Sequence, residues 1–343
     1  MSVRRLGHSL TRLLGVMYPV IQGGMAWVAD AQLAAAVSNA GGLGVIASAH
    51  LAPDELRAEI RAAREMTPKP FGVNIMLMSP NAGEAAQICC EERIAVVTTG
   101  AGHPGQFMQE FATAGITVVP VVASTAQAKR AASAGAPAVI AEGYEAGGHV
   151  GELTTMALVP QVVDAVDVPV VAAGGIADGR GVAAAFCLGA SGVQLGTAFV
   201  VARECTAHPN YKRKVLAASD SDTLVTGRSV GHPVRALKNR FTREFARLER
   251  EGADPDTVMS LGVGSLARAV RDGDVEYGSV MAGQIAGLLK EEKTALEIVA
   301  GIIQEAEEVL GRVSQSRRID ILEDSVSLPR PGSAVPRHGR GIV

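Results

Sequence analysis

At 343 residues the chain can bury one barrel-sized core or two smaller ones, and a formal charge of −3 gives no global case for binding nucleic acid. Apolar residues make up 48% of it and aromatics only 3%, an Ala-, Val- and Gly-rich balance that suits helices packed closely on a parallel sheet. No apolar run is long enough to span a bilayer, and after Arg4-Arg5 the residue Arg12 interrupts any signal-like core, so a soluble, intracellular protein is expected.

Taken in order, Tyr18–Gln22 reads as a first strand running into Gly23-Gly24-Met25-Ala26-Trp27, and Asp30 caps a helix from Ala31 to Ala40 that stops at Gly41-Gly42. Leu43–Ile46 is the next strand, and Pro53 opens the helix after it. Phe71–Ile75, Ile94–Thr98 and Thr117–Val122 follow as strands, with helices near Ala82–Glu92, over Gln106–Ala114 and after Ser124. The adjacent Cys89 and Cys90 read as helix packing. With Cys187 and Cys205 they show no metal-ligand spacing, and a reducing cytoplasm is expected. Ala138–Ala141 is a buried strand, followed by a glycine-dense loop and a helix, Met156–Val166, that Thr154 or Thr155 can cap. Val168–Ala173 leads into Gly174-Gly175 and a helix ending near Leu188, and Gly192–Thr197 closes the series.

Eight strand-helix alternations are the number that closes a (β/α)8 TIM barrel. An open doubly wound sheet would carry a GxGxxG turn after its first strand, and none is present. The expected organisation is a barrel over residues 1–218, a helical lid over 219–287, a closing helix within 288–319 and a mobile tail over 320–343. Just before the lid, Pro209–Ser219 reads as a helix. Pro233–Glu251 reads as a long amphipathic helix bearing Arg235, Lys238, Arg240, Arg243 and Arg247, with shorter helices across 254–282 and an acidic helix over Leu288–Val313.

The stretch Glu142-Gly-Tyr-Glu-Ala-Gly-Gly-His149 sits at the carboxyl end of a buried strand, where glycines let a ligand approach the backbone. A flexible connection with a solvated histidine is the plain alternative. In a barrel the functional face is this end, with a phosphate site after strands seven and eight, here Ala173-Gly174-Gly175 and Gln194-Leu-Gly196-Thr197. The N–H groups of Gly175, Gly196 and Thr197 are the expected phosphate donors. With Gly23, Gly24 and Asn74 at other strand ends, the pattern is compatible with a flavin mononucleotide across the barrel mouth.

The runs Gln22-Gly-Gly-Met-Ala-Trp-Val-Ala-Asp30, Lys69-Pro-Phe-Gly-Val-Asn-Ile-Met-Leu77, Val97-Thr-Thr-Gly-Ala-Gly102 and Ala141–Met156 resemble FMN-dependent enoyl-acyl-carrier-protein reductase II. So do Ala207-His-Pro-Asn-Tyr-Lys212 and Gly278-Ser-Val-Met-Ala-Gly-Gln284, and the resemblance spans roughly residues 10 to 310. The wider flavin family includes nitronate monooxygenases, similar in the Gly-Gly-His loop and both phosphate loops. The resemblance implies FMN contacts at Gly23, Gly24, Met25, Asn74, Glu142, Gly148, Ala173, Gly174, Gly175, Gln194, Gly196 and Thr197. It also implies His149 as the catalytic residue, a lid returning Ser279, Met281 and Gln284 to the pocket, and a monovalent cation whose ligands are unassigned.

On that resemblance NADH or NADPH reduces FMN, and a 2-enoyl thioester on acyl carrier protein then takes hydride from flavin N5 at its β-carbon. His149 would protonate the α-carbon or stabilise the enolate; Tyr144 lies in the same loop with no role its spacing demands. Nitronate oxidation with O2 is the rival activity, and a flavin-binding protein without turnover the rival of another class. The cationic helix with Arg235, Lys238 and Arg243 is a candidate steering surface for an acidic carrier, against a plainly solvated face. A homodimer is expected.

Overall fold

A computed structural model describes Val3 and residues 7–316, so the expected tail over 320–343 lies outside the described residues. Helix α1 (His8–Leu14) precedes β1 (Val20–Gln22), α2 (Ala31–Asn39), β2 (Val45–Ala47), α3 (Pro53–Met66), β3 (Gly72–Met76) and α4 (Ala82–Glu91). Then come β4 (Val96–Gly100), α5 (Met108–Thr113), β5 (Thr117–Val122), α6 (Thr125–Ser133) and β6 (Val139–Glu142). The short β7 (Gly148–His149) precedes α7 (Thr155–Ala165), β8 (Val170–Ala173), α8 (Gly179–Cys187), β9 (Gly192–Leu195) and α9 (Thr197–Val200). Helix α10 (Pro209–Leu216), β10 (Thr223–Thr226), β11 (Val234–Leu237), α11 (Arg240–Arg250), α12 (Pro255–Gly262), α13 (Ser265–Arg271) and α14 (Ala295–Ser316) follow.

Eight strands pair in parallel in the order β1-β9-β8-β6-β5-β4-β3-β2, the expected TIM barrel. Closure falls between β1 and β2. There Ile21 bridges Leu43, the Gln22 N–H donates to the Leu43 carbonyl at 2.9 Å, and the Leu43 N–H donates to the Val20 carbonyl at 2.8 Å. The fully buried Gln22 side chain supplies the rest of the seam: Oε1 accepts from the Val45 N–H at 3.0 Å and Nε2 donates to the Val45 carbonyl at 3.1 Å. A buried amide behaving as backbone leaves no free sheet edge.

The barrel interior is a cluster including Ile21, Val45, Val96, Val119, Ile140 and Val171, and Leu10 and Leu14 of α1 join it. Burying each of those leucines contributes about 1.5–3 kcal/mol, which is why this first helix belongs to the barrel. Outside, Gly179 lets α8 meet α14 closely; a Cβ there would stand 2.4 Å from the Ala306 nitrogen. Asp178 caps α8 by accepting from the Arg180 and Gly181 N–H groups, as Asp30 and Ser124 cap α2 and α6. Among the described residues no helix is long and apolar enough to cross a membrane. All four cysteines are free, with Cys89 buried in α4.

The structure corrects four expectations, three of them in the region after the barrel. Pro233–Glu251 is not one helix. Val234–Leu237 forms strand β11, and the helix begins only at Arg240, where Asn239 and Thr242 exchange side-chain bonds in a capping box. Because β11 pairs with β10 on one side and β7 on the other, Arg235 is buried in a sheet instead of lying on a solvated helix face. The region after the barrel therefore carries strands as well as helices. The closing helix starts at Ala295, not Leu288: Thr294 and Glu297 cap it reciprocally, and the preceding charged run stays non-helical. Finally, the segment over Gln106–Ala114 is a 3-10 turn, Pro104–Gln106, followed by the short α5.

Candidate active site

A cavity of about 290 Å³ opens at the carboxyl ends of the barrel strands. It draws together residues far apart in sequence: Gly23, Gly24 and Met25 after β1, Asn74 on β3, Glu142 on β6, and Gly148 and His149 on β7. Ala173, Gly174 and Gly175 line it at the end of β8, and Gln194, Gly196 and Thr197 at the end of β9. Met281 reaches it from the lid, joined by Leu266, Gly283 and Ile285. Ser279 and Gln284 do not line it, a correction to the expected lid contacts. Ser279 is buried with its N–H on the Ser265 carbonyl, and Gln284 is exposed with its N–H on the Glu145 carbonyl.

The glycines make room for the polar groups. A Cβ on Gly24 would stand 2.3 Å from the Asn74 side chain, and one on Gly23 would meet Gln194 at 3.4 Å. Asn74 Nδ2 donates to Thr98 Oγ1 at 3.0 Å, which leaves Oδ1 as an acceptor toward the cavity. The Gln194 amide is 7% exposed, lines the cavity and has no partner among the described residues. Gly174 and Gly175 take φ of +84° and +71°, a consecutive left-handed pair that turns backbone N–H groups into one concavity. The Gly175 N–H has no acceptor among the described residues. Trp27, itself at φ +69°, is held between the His50 ring at 4.3 Å and the Arg271 guanidinium at 4.2 Å. That anchors the loop whose Met25, Ala26 and Val28 face the cavity.

The loop from β6 to β7 is fastened at two places. Neither threonine caps α7 with its own side chain as expected. Instead the Glu145 carboxylate accepts from the Thr155 N–H at 2.9 Å and from Thr155 Oγ1 at 2.9 Å. Thr155 also contacts the Gly174 carbonyl at 2.9 Å, so one threonine joins the loop to the β8 turn. On the other side, Arg235 donates to the Tyr144 carbonyl and to Thr223, and its guanidinium lies 4.6 Å over the Tyr144 ring. Arg228 donates to the Tyr144 hydroxyl at 3.0 Å. Sequence reasoning missed Glu145, Thr155 and the position of Arg235. A contact ten residues apart has no periodic signature, though the alternation Val-Arg-Ala-Leu after Gly-His-Pro is a strand signal for Arg235.

Four titratable groups line the cavity, Glu142, Glu145, His149 and Tyr211, and the first and third bear on its chemistry. Burial pushes the Glu142 carboxyl up to about 7, and no hydrogen bond offsets it. His149 pairs through its backbone with Val234 and keeps an exposed edge, yet burial, then the nearby His232, holds its pKa below the ordinary 6.5. It is therefore neutral at pH 7, one ring nitrogen donating and the other accepting. Among the described residues no cluster of three His, Cys, Asp or Glu side chains could hold a metal.

A family model described as nitronate monooxygenase matches residues 8–305. The structure of FabK from Thermotoga maritima superposes with a TM-score of 0.88 at 50% identity, covering 90% of this chain and 98% of that one. A nitroalkane oxidase from Streptomyces ansochromogenes superposes at 0.79 with 31% identity, covering 89% and 99%. A (3aS,4S,5R,7aS)-5-hydroxy-7a-methyl-1-oxo-octahydro-1H-indene-4-carboxyl-CoA dehydrogenase from Mycobacterium tuberculosis is 35% identical over 342 residues, 88% of this chain and 96% of that protein.

Proposed function

The chain belongs to the nitronate monooxygenase family, and on that premise we propose that it reduces 2-enoyl thioesters carried by acyl carrier protein, with FMN as cofactor and NADH or NADPH as reductant. The observation that carries this reading is the match to FabK, enoyl-acyl-carrier-protein reductase II, at 50% identity over 90% of this chain.

The residues present fit FMN. The Gly175 N–H without an acceptor and the neighbouring Gly196 and Thr197 backbone suit its phosphate, since glycine loops at strand ends seven and eight concentrate N–H donors. The unpartnered Gln194 amide and Asn74 Oδ1 suit the polar edge of a heteroaromatic ring, with Gly23 and Gly24 leaving the space beneath them. FMN, when bound, supplies reversible two-electron chemistry that can take hydride from a nicotinamide and pass it to the β-carbon of an enoyl thioester.

His149 is the group of this chain best placed to act on the thioester. Its depressed pKa makes imidazolium scarce at neutral pH, so its role is to donate an N–H hydrogen bond to the thioester carbonyl as negative charge develops there, and the enolate then takes its α-carbon proton from solvent. Val28, Val200, Leu266 and Ile285 give the cavity an apolar wall for the acyl chain. For the carrier, Lys238 and Arg243 remain on the surface, while Arg247 is already paired with Glu244 and Glu251. Oxidation of alkyl nitronates is the second reading, favoured by the family description and the nitroalkane oxidase likeness.

The test is His149→Ala followed through both half-reactions. The variant keeps its flavin absorbance and much of its reduction by NADH, while reoxidation by enoyl thioester slows by roughly 10²–10³-fold. Equal slowing of both steps contradicts the assignment.

A further inference from the structure

His149 sits at the end of a loop that cannot hold its own position. Ala146, Gly147 and Gly148 precede it, with Gly148 at φ +73°, and none has a side chain long enough to anchor the turn. Its placement must come from neighbours, and one strand of the lid contacts both ends. At the far end the main chain of β11 pairs Val234 with His149 and Arg235 with Gly148, and the Val150 N–H donates to the Pro233 carbonyl at 3.1 Å. At the near end the Arg235 guanidinium donates from Nε and Nη2 to the Tyr144 carbonyl at 3.3 and 3.1 Å. Nη1 donates to Thr223 Oγ1 on β10 at 2.9 Å, and the guanidinium covers the Tyr144 ring.

Arg235 is 3% exposed and has no carboxylate within ion-pair distance among the described residues. Burial costs this cation more than the attraction of the nearby, unpaired Glu145 carboxylate returns, so charge pairing does not explain an arginine here. Geometry does. One rigid, planar fork donates in two directions at once, to the Tyr144 carbonyl and to Thr223 on the neighbouring strand, a fixed geometry that lysine's flexible ammonium lacks and an apolar residue cannot offer.

We infer that Arg235 is the positioning residue for His149, closing the arc from Tyr144 to Gly148 against the lid sheet so that the imidazole faces the cavity at a fixed place. The Glu145–Thr155 contact fastens the same loop to the barrel and to the β8 turn. The two anchors therefore divide the work: Glu145 serves the phosphate side and Arg235 serves the imidazole. The inference rests on the proposed function only where enoyl reduction is the readout.

The experiment uses the flavin-loaded full chain with Arg235→Met, Arg235→Ala and Arg235→Lys. Stopped-flow absorbance follows reduction by NADH and reoxidation by a 2-enoyl thioester separately. The NADH step stays near the wild-type rate. The maximal reoxidation rate falls about 10²-fold, the usual effect of a misplacement near 1 Å, while the half-saturating thioester concentration barely moves. Free guanidinium ion restores part of the rate to Arg235→Ala and none to His149→Ala. Equal slowing of both steps, or no slowing, overturns the inference.

Should these variants fold poorly, Thr223→Val removes only the Nη1 partner and gives a smaller loss confined to reoxidation; an unchanged rate counts against the inference. A readout independent of turnover is the His149 ring resonance in NMR, which shifts or broadens in Arg235→Met; an identical resonance overturns the inference. If wild-type protein fails to reduce enoyl thioesters, the proposed function falls, and this resonance still decides the role of Arg235.

Discussion

Replacing Glu142 by glutamine in cofactor-stripped protein makes the protein more stable at pH 8, and the gain disappears in acid. The carboxyl stands deep in the cavity wall with no hydrogen-bond partner, and burial raises its pKa from 4.5 to about 7. The folded state therefore binds this proton more tightly than the unfolded state. Between pH 4.5 and about 7 the folded protein holds the proton and the unfolded chain has lost it, so stability falls as pH rises through that window. Above it the penalty is fully expressed. The interval from 4.5 to about 7 corresponds to about 3 kcal/mol at roughly 1.36 kcal/mol per unit of pKa, an upper bound because cavity water screens the charge. For a chain of this size that amounts to a melting-temperature difference of about 4 °C. Glutamine keeps the shape and removes the charge. Thermal melts of both proteins from pH 4.5 to pH 8 are the assay, with Glu142→Gln melting higher at pH 8 and the two converging in acid. A difference that is constant across the window, or a less stable variant at pH 8, refutes the argument.

Two further outcomes follow from the glycines. Gly24→Ala drives a methyl group to 2.3 Å from Asn74. It lowers stability by about 1–3 kcal/mol and weakens flavin binding, read by a melt and by the absorbance of bound cofactor; unchanged occupancy counts against Asn74 as a ring contact. Gly175→Val cannot take φ +71° without strain and blocks the N–H concavity. The purified protein is then colourless, and full FMN content removes the phosphate assignment.

Much of this was legible in the sequence because barrel strands announce themselves. Ala138–Ala141 and Val170–Ala173 are continuous apolar runs leading into glycine loops, and Asp30, Ser124 and Asp178 cap the helices that follow strands. The same local chemistry placed the glycines and amides at strand ends, where closing a barrel brings them together. The lid resisted reading for a physical reason. Val234–Leu237 is four residues long and runs into a strongly amphipathic helix, so its strand alternation merges with the helical pattern. Its identity as a strand depends on partners at Thr223–Thr226 and Gly148–His149, one of them only two residues long. Arg235 consequently read as a solvated charge when it is a buried one. Ser279 and Gln284 came from the resemblance and not from any pattern in the chain, and of that trio only Met281 lines the cavity.

The measurement that tests the central claim most directly is anaerobic reoxidation of the NADH-reduced protein by a 2-enoyl thioester. If the chain is an enoyl reductase, the bound flavin bleaches on adding NADH, and crotonyl thioester restores its absorbance stoichiometrically with loss of the enoyl double bond. If the reduced protein ignores the thioester, or NADH bleaches the flavin only poorly while alkyl nitronate is consumed with O2, the claim is contradicted and the second reading stands.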